Sequence, residues 1–327
     1  MPPLPNSTDA TPPCSTDAPP PCGTDATPPW VVAPTEERNP ATVGIDLAST
    51  LELLCMINDE DAKVAAAVRA VLPALAVAVD LATVALRGGH RVHYFGAGTS
   101  GRIAMMDAAE LVPTYGIDPA QVVAHHAGGL EAVQRPIENV EDREASGAAE
   151  GGQLEPDDVA VGLAASGRTP YVVGALRAAR GRGARTILIS ANPGAGFGAE
   201  VDVHVGVATG PEAIAGSTRM KAGTAQKMLL NAFSTAVMVR LGRTYSNLMV
   251  AVAARNAKLR GRVVRILVEA TGLDPQVCSD AAERAEGDCR VALVSLLGEV
   301  PVAVARRALA ETGGAVRPAL AIAGPGN

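Results

Sequence analysis

The chain has 327 residues, a formal net charge of −6, 48% apolar residues and 19% charged residues. This composition excludes a wholly disordered chain and predicts a soluble, globular one with ample core. The acidic balance and an aromatic content of only 2% argue against a dedicated nucleic-acid-binding protein.

The cysteines and the apolar stretches predict a cytoplasmic protein. There are five cysteines, an odd number without metal-ligand spacing or a C-x-x-C pair, and this favours a reducing compartment over a disulfide framework. The first residues lack the basic and apolar regions of a secretory signal. The longest apolar stretch, residues 70–86, is short for a membrane span and contains Pro73 and Asp80. We therefore expect no membrane span.

Two regions precede the first predicted strand. Residues 1–34 include an eight-residue repeat, present three times, and this tract rich in Pro, Thr and Asp predicts a disordered tail. Residues 35–90 predict helices. Asp46 is the expected N-cap of the first helix, and a second helix is expected over residues 61–87.

Five short runs rich in Val, Ile and Leu follow, between residues 91 and 245. Stretches long enough for a crossover helix separate most of them, and Gly, Pro or Ala bounds each run. The pattern predicts an α/β fold with a five-stranded, parallel, doubly wound sheet of the size that binds a nucleotide or sugar phosphate. The predicted strands are residues 91–95, 121–126, 158–164, 185–190 and 201–207.

The strand pattern stops after about residue 218. Two long helices are predicted, over residues 220–241 and 247–270. Shorter helical patterns follow, so residues 246–327 predict a long helix and a small C-terminal helical module.

The first predicted strand leads into a G-x-G-x-x-G sequence at residues 96–101. A dinucleotide site would also need an acidic residue at the end of the second strand, and none stands there. The backbone at Gly98 and the hydroxyls of Thr99 and Ser100 suit a phosphate monoester instead. The alternative is an ordinary strand-to-helix turn with Ser100 as its N-cap.

A second turn of this kind follows the third predicted strand. It contains Ser166, Gly167, Arg168 and Thr169, and Pro170 stands where a first-turn proline is tolerated. Both turns are expected at the carboxyl edge of the sheet, where open α/β sheets bind their ligands. Arg168 would add charge there, although an exposed loop arginine is equally ordinary.

A third polar cluster opens the long helix that follows the sheet. It contains Ser217, Arg219 and Lys221, in a chain that has only four lysines. We expect an anion or carboxylate clamp. A capped helix with solvated cations is the alternative.

Two carboxylates are candidates for acid–base chemistry. Glu110 lies among apolar residues at the end of a helix predicted to start at Gly101, and such neighbours predict a raised pKa and a protonated carboxyl. Glu141 lies in an acidic run after the second strand, and runs of this kind are usually solvated. His125 and His126 are expected on opposite faces of their strand, so they cannot both serve one site.

Six sequence motifs belong together, at residues 35–40, 96–102, 107–110, 164–171, 216–227 and 247–250. The longest contains the run STRMKAGTAQK. With these motifs the chain resembles the N-acetylmuramic acid 6-phosphate etherases, a family built on the sugar isomerase (SIS) domain. The likeness extends from about Thr35 to the C-terminal helices.

The resemblance implies a cytoplasmic, homodimeric lyase that needs no metal or organic cofactor. It implies N-acetylmuramic acid 6-phosphate as substrate, N-acetylglucosamine 6-phosphate and D-lactate as products, and a place in cell-wall sugar recycling. The family's two catalytic glutamates map onto Glu110 and Glu141. We expect Glu141 to abstract the C2 proton of the open-chain sugar, and Glu110 to protonate the departing lactate oxygen and then activate water.

The chain departs from the family pattern in three places. Leu111-Val112-Pro113 replaces a common Cys-Pro-Pro, residues 138–142 read ENVED where EGAED is usual, and Ala164 stands where many SIS phosphate loops carry serine. All three departures spare both glutamates.

Two other functions stay open from the sequence. One is a ketose–aldose phosphosugar isomerase, and the other is a non-catalytic sugar-phosphate sensor. The two glutamates favour an enzyme, and the lack of a DNA-binding segment disfavours a repressor. The Ala- and Val-rich stretch over residues 62–86 predicts a two-fold dimer, because one sheet cannot cover that much apolar helix surface.

Overall fold

The computed structural model of the protein describes residues 33–251 and 257–324. The three repeats of the predicted tail therefore lie outside the described residues. Two short 3-10 turns lead to three helices that precede the sheet: α1 (Thr50–Asp61), α2 (Val64–Ala70) and α3 (Leu72–Arg87). Within the described ranges, no single helix combines the length and apolar character needed to cross a membrane. The segment of α1 and α2 together with α3 has the length and composition of a membrane span, but the two parts meet at a bend of 61°.

The starts of α1 and α3 differ from the sequence predictions. Ser49, and not Asp46, caps α1, because Ser49 and Glu52 form a capping box that satisfies two backbone N–H groups reciprocally. The single helix predicted after α1 is divided at Val71. Pro73 stands in the first turn of α3 and has no N–H with which to continue the hydrogen bonds of α2.

The predicted five-stranded parallel sheet is confirmed. Its strands are β1 (Val92–Gly96), β2 (Val122–His126), β3 (Val159–Leu163), β4 (Arg185–Ser190) and β5 (Val203–Gly206), and they pair in the order β2-β1-β3-β4-β5. The order reverses between β1 and β3, so the carboxyl ends of these two strands flank the crevice where such sheets bind ligands. In the register, Gly96 of β1 lies level with Leu163 of β3 and His126 of β2.

Helices cover both faces of the sheet: α4 (Gly98–Tyr115), α5 (Gly129–Gln134), α6 (Glu144–Gly151), α7 (Pro170–Gly181) and α8 (Lys221–Arg240). Successive strand residues point to opposite faces. Tyr94 therefore belongs to the core that includes α3, α4 and α8, whereas Phe95 belongs to the core that includes α7. The long helix predicted over residues 220–241 is confirmed as α8.

The region after α8 differs from the prediction of a continuous helix over residues 247–270. A short antiparallel ladder, β6 (Thr244–Tyr245) with β7 (Leu248–Met249), comes first, and Ser246 turns the chain with a φ of 51°. Residues 252–256 of the prediction lie outside the described residues. A third apolar cluster then joins α9 (Ala257–Thr271), α10 (Pro275–Arg284), α11 (Cys289–Leu297), α12 (Val302–Glu311) and α13 (Val316–Ala323).

Candidate active site

The loop after β1 presents backbone and hydroxyl groups at the crevice between β1 and β3. Helix α4 begins at Gly98, whose φ of 53° lies in the left-handed region that favours glycine. Ser100 is buried, and its Oγ donates a hydrogen bond to Gln226 Oε1 at 2.8 Å. A Cβ at Gly101 would overlap the His126 ring, so glycine allows α4 to pass close over the end of β2. The start of α4 therefore offers unpaired N–H groups beside the Ser100 hydroxyl.

The loop after β3 is built in the same way. Gly167 has a φ of 71°, and Thr169 is the N-cap residue of α7, with Pro170 in the first turn as predicted. Asn192 Nδ2 donates to the Ser166 carbonyl oxygen at 3.2 Å, which holds this loop against the loop after β4. Because β1 and β3 are neighbours, the two hydroxyl-bearing loops lie side by side.

Glu141 is held next to the loop after β3 by its own backbone. The Tyr171 N–H, in the first turn of α7, donates to the Glu141 carbonyl oxygen at 2.9 Å, and this satisfies an N–H that the helix leaves unpaired. The neighbouring Val140 is only 6% exposed and packs into the core with α7. A Cβ at Gly147 or Gly151 would overlap the backbone of α7, so these glycines let α6 approach it closely. The Glu141 side chain remains exposed.

The N-terminal segment and the start of α8 form the opposite wall. The Gly216 N–H donates to the Thr35 carbonyl oxygen at 2.9 Å, and Thr35 is buried. A Cβ at Gly216 would lie 2.9 Å from the Glu36 carboxylate, which shows how closely that side chain approaches. The Gly223 N–H donates to the Thr218 carbonyl oxygen at 2.9 Å and fixes the turn into α8.

These elements enclose a cavity of about 440 Å³. Six of the residues predicted from the sequence line it: Gly98, Thr99, Ser100, Glu141, Ser166 and Thr169. It also has polar lining residues that sequence reasoning did not assign to the site: Thr35, Glu36, Arg102, His126, Glu138 and Thr218. The cavity therefore combines hydroxyls and helix N-termini, which suit a phosphate, with several carboxylates.

The other predicted site residues do not line this cavity; they are Glu110, Gly167, Arg168, Ser217, Arg219 and Lys221. Arg168 and Arg219 are exposed, and Gly167 is buried within its loop. Ser217 is partly buried, and its carbonyl oxygen accepts from the Met220 N–H at 3.1 Å.

Lys221 is part of a buried ion pair. Its Nζ lies 2.5 Å from Glu60 Oε2, and both side chains are at most 4% exposed. Glu212 accepts from the Lys221 N–H at 2.8 Å and so binds the first turn of α8. Burial opposes ionisation of Glu60, but hydrogen bonds from Lys221 and Lys63 outweigh it and lower the pKa of Glu60 to about 2. In this copy of the chain, Lys221 fixes α8 against α1, and its charge is neutralised by Glu60.

Glu110 lies on the exposed side of α4. The helix continues past it to Tyr115, so the prediction that Glu110 ends the helix is wrong, and in a single chain Glu110 is exposed where apolar surroundings were expected. Asp107, one turn earlier, faces inward and accepts hydrogen bonds from Tyr94 at 3.1 Å and Ser234 at 2.9 Å. Burial raises the pKa of Asp107 to about 6, although those hydrogen bonds oppose the rise. Asp107 therefore anchors α4 while Glu110 faces away from the core.

The two adjacent histidines point to opposite faces of β2, as the sequence predicted. His126 is buried, lines the cavity, and places its Nε2 3.2 Å from the Gly98 carbonyl oxygen. His125 lies on the other face, stacks on Phe95 at 4.5 Å and places its Nε2 3.0 Å from Nδ1 of His93. The sequence analysis assigned neither histidine to the site. The end of β2 at the carboxyl edge was the signal that could have placed His126 at the cavity.

Comparison with known proteins finds the SIS domain over residues 59–191. The chain is 63% identical to the N-acetylmuramic acid 6-phosphate etherase of Thermobifida fusca over 267 residues, which cover 82% of this chain and 88% of that protein. It is 49% identical to the protein of the same name from Pectobacterium atrosepticum, over 88% of this chain and 95% of the relative. A third etherase, from Symbiobacterium thermophilum, is 51% identical over 81% of this chain and 89% of its own length.

Proposed function

We propose how the cavity serves the chemistry of the family to which this chain belongs, the N-acetylmuramic acid 6-phosphate etherases. The chain is a lyase that cleaves the lactyl ether of N-acetylmuramic acid 6-phosphate. The relatives at 49–63% identity carry the etherase name, and they favour neither the isomerase nor the sensor. The finer assignments that follow concern site residues, assembly and cellular role.

The single observation that carries the site assignment is the meeting of two hydroxyl-bearing loops at the β1–β3 crevice with Glu141 tethered beside them. Thr99 would bind the 6-phosphate from one side, and Ser166 and Thr169 from the other. Ser100 would join them by turning its hydroxyl proton from Gln226 to the phosphate. The N-termini of α4 and α7 add backbone donors and a favourable dipole. This leaves the sugar carbons directed toward the Glu141 side of the cavity.

The reaction needs one base and one acid. With the sugar open, C1 is an aldehyde, and Glu141 takes the proton from C2. The electron pair then forms the C2=C3 double bond as the C3–O bond breaks, and the lactate oxygen receives its proton from Glu110. Water gives a proton to the Glu110 carboxylate as its oxygen adds at C3, and C2 regains a proton from Glu141. The products are N-acetylglucosamine 6-phosphate and D-lactate, and every proton transfer belongs to a side chain, so the scheme uses no metal or organic cofactor.

Glu110 reaches such a site only if a second copy of the chain completes it. Within one copy Glu110 is exposed and does not line the cavity. Met106 lies one turn before it on the same face of α4 and is 44% exposed. Large apolar side chains of α1, α3 and the segment before α1 are also exposed: Leu47, Leu51, Leu54, Leu72, Val77 and Val84. We place these surfaces at a two-fold interface, because exposed apolar patches mark association surfaces.

The same proposal gives the protein its cellular role. A lyase acting on this substrate fits the recycling of cell-wall sugars, and the cysteine pattern favours the cytoplasm. Its partners would be the sugar phosphate and a second copy of itself.

The test is release of D-lactate from N-acetylmuramic acid 6-phosphate by the purified chain. The Ser166→Ala/Thr169→Ala variant should bind the phosphorylated sugar at least about 100-fold more weakly, because each hydrogen bond to a charged group is worth roughly 1.5–3 kcal/mol. An Arg168→Ala variant is the matched control, since that side chain is exposed and outside the cavity. Equal affinity of the wild type for the phosphorylated and unphosphorylated sugars would overturn the phosphate assignment.

A further inference from the structure

A second cavity, of about 800 Å³, lies at the opposite edge of the sheet from the candidate active site. Its walls come from the end of α3, the residue before β2, the segment after α8 and the start of α13. The end of α3 leads into β1 and Gln121 directly precedes β2, so this cavity lies near the amino-terminal ends of these strands. The active-site loops instead follow the carboxyl ends of β1 and β3. The volume is within the range of small-molecule sites, which is roughly 300–1,000 Å³.

Four arginines line this cavity: Arg87, Arg240, Arg243 and Arg317. None of the described residues that line it is an aspartate or a glutamate. The arginines come from three separate parts of the sequence, since Arg240 and Arg243 are neighbours at the end of α8, so the fold assembles this concentration of positive charge. Like-charge repulsion among these side chains destabilises the folded protein unless a negative charge compensates it.

The contacts within the protein neutralise little of that charge. Arg87 donates from Nη2 to the carbonyl oxygen of Arg240 at 2.6 Å, which is a neutral acceptor. Arg240 approaches Asp80 at 3.7 Å, but both side chains are about two-thirds exposed and such a pair is weak. Arg317 lies over the Tyr245 ring at 5.0 Å, a contact that leaves its fork of donors available.

Arg243 has the least compensated guanidinium of the four. Its Nε is buried, and among the described residues it has no hydrogen-bond partner. Burial, and secondarily the positive charge of Arg290, lower the pKa of Arg243 below its ordinary value. A buried donor without a partner, on a side chain that lines a cavity, is expected at a site that binds a ligand with a hydrogen-bond acceptor.

The rest of the lining suits the carbon skeleton of such a ligand. Leu86, Val239, Leu241 and Val316 contribute apolar surface beside the arginines. The planar guanidinium fork binds the two oxygens of a carboxylate or a phosphate together, so several forks around one cavity select for a ligand with more than one anionic group.

We propose that this cavity is a second ligand site, distinct from the active site, for a small organic anion that carries two or more negative charges on phosphate or carboxylate groups. Arg243 and Arg317 bind its anionic groups, and the apolar side chains contact its skeleton.

The experiment is a calorimetric titration of the full chain with inorganic pyrophosphate and, separately, with citrate. The background protein carries Ser166→Ala and Thr169→Ala, which remove two of the proposed active-site anchors and weaken anion binding there; the arginine substitutions then report on the second cavity. We expect it to bind one pyrophosphate or one citrate, and the arm that binds identifies phosphate or carboxylate as the preferred group. Adding Arg243→Met should weaken that binding roughly 10- to 100-fold, and Arg317→Met should weaken it similarly.

The matched control is Arg265→Met in the same background. Arg265 is 81% exposed, pairs with Glu269 at 2.8 Å on α9 and does not line the cavity. This variant should bind as the background does. Removing Arg243 also removes like-charge repulsion, so the melting temperature of that variant without anion should be unchanged or higher.

The proposal is overturned if the background protein binds neither anion, or if the variant with both Arg243→Met and Arg317→Met binds as tightly as the background. A failure of the proposed active site would give a different result. The Ser166→Ala/Thr169→Ala substitutions would then leave the affinity for the phosphorylated sugar unchanged.

Discussion

Glu141 lies on a short loop that one copy of the chain holds in place, whereas Glu110 lies on a long helix whose outward face one copy leaves exposed. The Glu141 backbone is bonded to the start of α7, and its neighbour Val140 is buried in the sheet core. Glu110 shares its face of α4 with the exposed Met106. The contrast supports our proposal that the phosphate and base side of the site is complete within one chain, and that a second copy completes the acid side.

Substitution of the two glutamates should produce the largest effects and separate their roles. Glu141→Gln should lower D-lactate release by roughly 10²–10⁴-fold and abolish exchange of the C2 proton with deuterated water, because the base is lost. Glu110→Gln should lower lactate release to a similar extent but keep C2 exchange, since the proton can leave and return without cleavage of the ether.

Both amide variants preserve side-chain shape, so their melting temperatures serve as the folding control. Glu155→Gln is a third variant for comparison, since Glu155 does not line the cavity. Reversed exchange behaviour would interchange the two roles. Undiminished lactate release in either variant would remove that glutamate from the mechanism.

The buried ion pair between Lys221 and Glu60, at the start of α8 and opposite Glu141, should make a large contribution to the free energy of unfolding. Lys221→Met leaves the Glu60 carboxylate in an interior site with the Asn39 side chain and the largely exposed Lys63 beside it, and we expect a loss of about 3–5 kcal/mol in the free energy of unfolding by urea. Lys63→Met is the control and should cost less than about 1 kcal/mol, because the Lys63 side chain is 62% exposed. A substrate-contacting Lys221 would behave differently: stability would stay near the wild-type value and KM would rise.

Asp107, the inward anchor of the Glu110 helix, should give a smaller effect that depends on pH. Its pKa is raised from 3.8 to about 6, so the folded protein binds this proton more tightly than the unfolded chain does. Its contribution therefore destabilises the fold as pH rises from about 4 to about 6, by roughly 2–3 kcal/mol in total.

The measurement is the free energy of unfolding across that pH range. Asp107→Asn keeps one acceptor oxygen, replaces the other by an NH2 group and does not titrate, so it should remove this part of the pH dependence. Asp80→Asn, at an exposed carboxylate, should leave it in place. A wild-type pH dependence retained by Asp107→Asn would contradict the assignment.

The sequence predicted the parts of the site that depend on local pattern. Apolar runs bounded by small residues indicated all five strands, and the glycine and hydroxyl residues after β1 and β3 indicated the two loops that line the cavity. Their meeting follows from the rule that parallel strands end at the same edge of a sheet.

Other features depend on packing between distant segments, which no local pattern contains. The burial of Lys221 requires Glu60, 161 positions away, and an isolated lysine in a polar run gives no sign of that partner. The closeness of Glu36 to Gly216 and the assembly of four arginines at the far edge are of the same kind. The apolar residues next to Glu110 in sequence did not reveal its exposure, because adjacent residues on a helix point to different faces.

The most direct test of a site shared between two copies is lactate release by a mixed dimer. One chain carries Glu110→Gln and the other Glu141→Gln, each with its own affinity tag, and the mixed species is purified through both tags. If each site takes Glu141 from one chain and Glu110 from the other, one of the two sites has both glutamates intact. The mixed dimer should then recover about half of the wild-type rate, although each variant alone is inactive. A mixed dimer as inactive as its parents, or a protein that stays monomeric at micromolar concentration, would contradict the account.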